Sequence, residues 1–324
     1  MSLLSHKASR ASSTLKLRVH GPLDLESTLE CGQAFRWSKV SGPDGVMWYK
    51  GVIGCSGVMV RFDSNSSNLF ILYEVESASA RDTASEIRDR LANAVYLYFA
   101  LDDDLDAIRA FLAKEGLAEE GIVDQVINSA ASHGRGLRIL RQDPWECLVS
   151  YIVSTNKNIP AIRKTVDYFC RALGSPAGLG EYTFPSAEAF LGAGPYCIKD
   201  SKCGYRASYI LDAAAKVAEK QVNLNALWSL PVGEARQELM KIKGVGPKVA
   251  DCVLLFAYHR LEVFPVDVWI ARAMSHFYFG GREMTAKEAR EEGSRRFGPF
   301  AGYAQEYLFH YARNVLDGNV KCQS

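Results

Sequence analysis

The spacing of apolar residues changes once, near residue 80, and this switch constrains the fold more than any other feature of the chain. Before it, TLKLRVH, AFRW, VMWYKGVIG, GVMVRF and LFILYEV are short β-branched and aromatic runs, separated by turn signals such as SGPDG and DSNSSN. They read as an antiparallel meander. After it, ASEIRDRLANAVYLYF, DDLDAIRAFLAKE and EGIVDQVINSAAS place apolar residues three and four apart, as amphipathic helices do. Asp143-Pro144 supplies an N-cap carboxylate followed by proline at the first helical position, and Pro160 opens the next helix. Further helices fit YRASYILDAAAKVAEK, GEARQELMK, PKVADCVLLFAYHR, DVWIARAMSHFYF, KEAREEGSRRF and FAGYAQEYLFHYARNVL. Strands first and helices afterwards predict an α+β protein. A twisted antiparallel sheet with a flanking helix is expected over 13–104 and a mostly α-helical body over 105–324. The first 12 residues, rich in Ser and basic side chains, read as a disordered tail.

Composition removes several classes of function. No run approaches the ~20 apolar residues of a membrane span, and no hydrophobic stretch near the start resembles a secretory signal. The net charge of +1 argues against a broad basic surface, so nucleic-acid binding has to use local devices such as helix N-termini and turn amides. The eight cysteines are scattered and no CxxC occurs, so neither a zinc site nor a four-cysteine iron–sulfur cluster has its usual spacing. An intracellular protein with reduced thiols is expected.

The chemistry concentrates in KIKGVGPKVADC (241–252) and FPVDVW (264–269). GEARQELMK, IKGVG and PKVADCVLLFAYH read as a helix–hairpin–helix. Gly244 and Gly246 are expected to give a tight turn with positive φ and to leave backbone amides uncovered, a natural phosphate site. A plain αα-hairpin between core helices accounts for the glycines equally well. It does not account for Lys248, which opens the second helix, where a cation is electrostatically unfavourable. A neutral amine there is a nucleophile toward the anomeric carbon of a nucleoside. The helix field contributes only ~0.3–1 kcal/mol toward neutrality, so desolvation against the substrate has to supply most of it. Asp267, nineteen residues on, reads as the N-cap of DVWIARAM. The helix after Lys248 is ~18 Å long and RLEVFPV reaches up to ~23 Å, so the chain can bring the acid back beside the amine.

At these residues the chain resembles the helix–hairpin–helix, Gly/Pro-rich loop, Asp (HhH-GPD) superfamily of DNA glycosylases. The resemblance sharpens to the 8-oxoguanine DNA glycosylase/AP lyases through LECGQAFRW (29–37), LRQDPWECL (140–148), STNKNI (154–159), GYRASYI (204–210), GVGPKVADC (244–252), PVDVW (265–269) and GPFAGYAQEYLF (298–309). It implies a monomeric base-excision enzyme acting on double-stranded DNA that contains oxidised guanine, with no cofactor and no metal. It places the enzyme with the genomic DNA, in the nucleus of a eukaryote or the nucleoid of a prokaryote. Lys248 then stands where the family has its Schiff-base nucleophile, and Asp267 where it has the catalytic carboxylate.

Gly32, Cys252, Pro265, Asp267, Gln305 and Phe309 match the base pocket of the family. Oxidised guanine carries an N7–H that guanine lacks, so the backbone carbonyl that the resemblance assigns to Gly32 can discriminate between them. Gln305 and Phe309 are four apart on one helix, so an amide and a ring share a face. Asn156, Tyr205, Arg206, Lys243, Gly244, Gly246 and Trp269 match DNA-contacting positions. Asn156 would fill the space left by the extruded base, Tyr205 wedge the helix and Arg206 read the opposite strand. Lys243 replaces a proline usual before GVG, Trp269 a phosphate-contacting histidine, and Ala161 an arginine that reads the opposite cytosine. Two alternatives stay open at this stage: a glycosylase for other damaged purines, and a non-catalytic helix–hairpin–helix DNA-binding module.

Overall fold

Turn chemistry and alternation build the first layer. The computed structural model describes residues 10–76, 83–115 and 124–320. Strand β1 (Arg10–Arg18) is followed by a short helix, α1 (Leu25–Glu30), and by β2 (Ser38–Ser41), β3 (Met47–Ile53), β4 (Ser56–Asp63) and β5 (Asn68–Glu76). The five strands form one antiparallel sheet in the order β1-β5-β4-β3-β2. β3 to β5 pair as the expected meander, β2, which lies outside the runs read as strands, extends it at one edge, and β1 closes the opposite edge against β5, from Arg10↔Glu76 to Arg18↔Asn68. Buried Val58, Val60, Leu69, Ile71 and Tyr73 pack with Leu91, Val95 and Phe99 of the region of α2 (Ala84–Tyr98). A Thr83–Glu86 capping box starts α2.

Three sequence expectations need correction here. Residues 10–12 of the expected tail already belong to β1, and residues 1–9 lie outside the described residues. AFRW is not a strand, because its side chains serve two different cores. Phe35 enters the helical body edge-on to Tyr151, with ring centroids 5.8 Å apart, whereas Trp37 packs in the sheet core and donates to the Tyr98 hydroxyl at 2.8 Å. The α1 helix was not legible at all. Six residues are too few to show a period, and its stability comes from the Asp24 carboxylate accepting the Glu26 and Ser27 amides.

The helical body comprises α3 (Leu105–Glu115), α4 (Gln125–His133), α5 (Pro144–Ser154), α6 (Ile159–Leu173), a two-stranded ribbon of β6 (Pro176–Gly178) and β7 (Glu181–Tyr182), α7 (Ala187–Asp200), α8 (Arg206–Ala218), α9 (Val232–Met240), α10 (Pro247–Phe256), α11 (Val268–Tyr278), α12 (Ala286–Phe297) and α13 (Ala301–Val320). No sequence period pointed to α7, since non-helical Gly194 and Pro195 interrupt it. Buried α10 packs on α5 and α9, and α13 packs on α4 and α11. No helix among the described residues is long and apolar enough to cross a membrane.

Sheet and body are stapled by a fully buried arginine. The Arg138 guanidinium donates to the carbonyls of Ala100 (2.6 Å), Pro22 (3.2 Å), Asp103 (3.2 Å) and His20 (3.4 Å), which tie the exits of β1 and α2 to the approach to α5. Orphaning buried carbonyls costs ~1–3 kcal/mol each. Arg138→Met is therefore expected to lower unfolding stability by about 3–5 kcal/mol, read from the urea midpoint at constant slope. A loss below about 1 kcal/mol would show that the staple is dispensable.

Candidate active site

The hairpin between α9 and α10 fixes the first reactive group. Gly244 has φ +80°, and a Cβ there would lie 2.2 Å from the Tyr209 ring, so both conformation and space require glycine. The expected positive φ at Gly246 is not found. Gly246 is extended (φ −97°, ψ −178°) and serves as the N-cap of α10. It brings no side-chain cap, so the first amides of α10 are left without a capping acceptor, and Pro247 occupies the first helical position. Lys248 follows in that first turn. Its ammonium lies 5.1 Å from the centroid of the Tyr151 ring, which stacks on Phe256 at 5.6 Å and 8°.

The second group arrives as the sequence spacing predicts. Asp267 is the N-cap of α11 and accepts the Ile270 amide at 2.8 Å. Lys248 and Asp267 line one cavity of about 390 Å³, open mouth included, together with Gly32, Cys252, Pro265, Gln305 and Phe309. The catalytic and base-pocket positions named from the sequence are thus brought together. Among the described residues Lys248 and Asp267 form no ion pair, so the amine is not locked to the acid. Burial pushes the Cys252 thiol up to about 12 and raises Cys31 and Tyr151 well above their ordinary values. That wall is neutral near pH 7.

Gly32 is held by its neighbour. The Gln33 side chain is buried; its amide donates to the carbonyls of Thr28 (2.8 Å) and Arg138 (2.9 Å), and its oxygen accepts the Leu140 amide (2.8 Å). The Gln33 carbonyl in turn accepts from Gln142 (2.7 Å) and from the Tyr151 hydroxyl (3.3 Å). Four of these five bonds fasten the loop after α1 to the segment that leads into α5 and to the middle of α5, and the fifth ties it back to α1. Gly32 itself has φ +108°, and a Cβ would meet Ile159 Cδ1 at 3.2 Å.

The expected DNA-contacting residues lie apart from the cavity wall. Asn156 is exposed just beyond α5 with φ +49°, and Tyr205 is 53 % exposed, set edge-on to Tyr209 at 5.6 Å. Exposed Lys243 places its ammonium 5.9 Å from the Tyr209 ring centroid, and Arg272 lies 5.9 Å from that of exposed Trp269. Arg206 differs from these in its surroundings. It is buried, and its guanidinium donates to the carbonyls of Thr155, Asn156 and Cys203. The end of α5 leaves carbonyls without helical partners, and Arg206 satisfies them from below. It braces the Asn156 turn.

Comparison with known proteins gives the architecture its place. Residues 16–148 match the family model of the 8-oxoguanine DNA glycosylase N-terminal domain, and residues 149–299 that of the HhH-GPD superfamily base excision DNA repair proteins. N-glycosylase/DNA lyase OGG1 of Arabidopsis thaliana is 30% identical over 308 residues, 91% of this chain and 78% of that protein. The chain belongs to the 8-oxoguanine DNA glycosylase family of the HhH-GPD superfamily. A probable N-glycosylase/DNA lyase of Methanothermobacter thermautotrophicus is 29% identical, covering 90% of this chain and 94% of its own. Among solved structures, MBOgg1 in complex with a low-affinity DNA ligand superposes with a TM-score of 0.79 at 36% identity, over 94% of this chain and 99% of that one. The Clostridium acetobutylicum 8-oxoguanine glycosylase/lyase bound to duplex DNA with cytosine opposite 8-oxoG gives 0.79 at 29% identity, over 94% and 98%.

Within this family fold, four cavity residues were not singled out from the sequence: Cys31, Tyr151, Phe256 and Glu306. The first three are neutral wall. Glu306 is different, because Tyr303 to Leu308 are all buried, and a carboxyl inside such a run is a signal in its own right. The Gly32 geometry gives a direct test. Gly32→Ala forces a strained φ and crowds Ile159, so excision of oxidised guanine should fall at least about tenfold while nicking of a preformed abasic site changes less than about twofold. Equal losses in the two assays would remove Gly32 from base selection.

Proposed function

We infer that this protein is a bifunctional DNA glycosylase and AP lyase that excises 8-oxoguanine from duplex DNA in base excision repair. The observation that carries this reading is one cavity holding an uncapped-helix lysine, a helix-capping aspartate, a glycine loop and a Gln–Phe pair, within a chain of this family.

The chemistry follows from the residues. Extrusion of the damaged nucleotide takes the base out of the stack and into the cavity, where the Phe309 ring offers a stacking face and the Gln305 amide a hydrogen-bonding edge. Among the described residues the buried Gln305 Oε1 has no hydrogen-bond partner, a cost that a base donor removes. The neutral Lys248 amine then attacks C1′. The C1′–N9 bond breaks, its electrons leave with the base, and the base takes up a proton. The Asp267 carboxylate, in the same cavity, is suited to stabilise positive charge developing on the sugar. Loss of a proton from the attached nitrogen and opening of the sugar ring give the imine. The imine acidifies the C2′ hydrogens; removal of one breaks the C3′–O bond and cuts the strand 3′ to the lesion. Outside the cavity, the uncapped amides at the start of α10 suit a backbone phosphate, and Asn156 and Tyr205 stand exposed for the gap left by the flipped base. The enzyme works where the genomic DNA lies.

Incision of a labelled duplex carrying 8-oxoguanine opposite cytosine tests this. The wild-type protein should excise the base and nick the strand. Lys248→Gln should lose both by about a hundredfold or more, and Asp267→Asn should lose excision by a comparable factor. Binding to the duplex without excision by the wild-type protein would favour the non-catalytic module instead.

A further inference from the structure

Glu306 is a buried acid in the lesion cavity for which the reaction above has no use. It is 5 % exposed, lies beside Gln305 on α13, and lines the cavity together with Cys31, Gly32 and Asp267. Among the described residues it has no ion-pair partner. Apart from Lys248, the titratable groups that share its cavity are neutral or hostile to a second negative charge. The Cys31 thiol at the end of α1 shares the cavity and donates to the Thr28 carbonyl at 3.4 Å, and the Asp267 carboxylate ahead of α11 repels Glu306. Cys252 of α10 and Tyr151 of α5 are held neutral by burial. Lys248 lines the same cavity from α10 but sits over the Tyr151 ring. One turn further along α13, His310 meets His133 of α4, with centroids 5.0 Å apart, and burial lowers its affinity for a proton.

We propose that Glu306 is a specificity residue for the damaged base: in its neutral acid form it donates a hydrogen bond to a ring carbonyl oxygen of an extruded oxopurine, and as a carboxylate it turns that base away. The proposal builds on the function inferred above. A carboxylic acid offers one donor that its ionised form lacks, and a carboxylate set against a carbonyl oxygen leaves two acceptors facing each other in a dry site. The Gln305 side chain offers an acceptor oxygen and an amide donor, and a protonated Glu306 beside it adds a second donor for an oxopurine such as 8-oxoguanine, which carries two ring carbonyl oxygens. Burial, opposed by the neighbouring Cys31 thiol and reinforced by Asp267, raises the Glu306 carboxyl from its ordinary range to about 7. The acid form therefore prevails below neutrality and is lost as pH rises through that value. An abasic substrate places no base in the cavity and should not sense the change.

The test compares single-turnover excision of 8-oxoguanine, revealed by hot alkali, with nicking of a preformed abasic duplex, between about pH 6 and about pH 8.5. For the wild-type protein the ratio of excision to nicking should fall about tenfold or more across that window. In Glu306→Gln the amide donates at every pH, so its ratio should be flat. Glu306→Leu, with no donor, should show a low ratio throughout. A flat wild-type ratio overturns the proposal whatever the variants do, and so does a Glu306→Gln ratio that tracks the wild type. No excision by the wild-type protein at any pH, with abasic nicking intact, points instead to failure of the 8-oxoguanine reading. Abasic nicking by each variant also reports that it is folded.

Discussion

Two helix starts that converge on one cavity, with opposite electrical character, are the constraint on which this structure rests. α11 begins conventionally, with Asp267 accepting an amide of its first turn. α10 begins unconventionally, with a glycine that caps nothing, a proline, and then Lys248, a cation at the positive end of the helix field. A stability-optimised hairpin would carry an acid or a hydroxyl there. The aromatic face of Tyr151, itself stacked on Phe256, gives the lysine an apolar bed without neutralising it through an ion pair. What stabilises the site is therefore the packing around it: α10 is buried over most of its length against α5 and α9, so its first turn is rigidly presented.

The sheet explains itself once the cavity is closed. It contributes none of the reactive groups, yet the loop after α1 delivers Gly32 and Cys31 to the cavity wall. Gln33 is the lock, with its side-chain amide and its main-chain carbonyl both committed to the helical body. Arg138 works in the same joint from the other side, gathering four carbonyls around one guanidinium. Polar groups buried this completely act only in one arrangement, since a slip of the sheet against the body would orphan several of them together. The joint thus converts sheet stability into positional precision at Gly32.

Much of this was legible in the sequence, for reasons that are physical. The long amphipathic helices, the Asp143-Pro144 start and the Asp267 cap announce themselves by periodicity and local chemistry. Lys248 is conspicuous because it offends the helix field. The lesion-pocket residues were reached through motif resemblance, and the folded chain collects them in one cavity. The rest was hidden where tertiary structure overrides local preference. AFRW reads as a strand, but its two aromatics belong to different cores. α7 is concealed by the Gly194-Pro195 break, and α1 by its brevity. Gly246 resembled a turn glycine and is an extended cap. Nothing in the sequence around Arg206 shows that the end of α5 claims donors of its guanidinium. Glu306 was visible in principle as an acid amid buried neighbours, and became meaningful only when the cavity was seen.

The central assignment is a covalent bond between the Lys248 nitrogen and C1′ of the damaged nucleotide, and it is most directly tested by finding that bond. Borohydride added during reaction with an 8-oxoguanine duplex reduces the imine to a stable amine, and mass spectrometry of the digested adduct locates the sugar remnant. The expected result is a remnant on the peptide containing Lys248, with fragmentation placing it on that side chain. A remnant on any other lysine or on the terminal amine, or base release with no trapped adduct, would contradict the assignment.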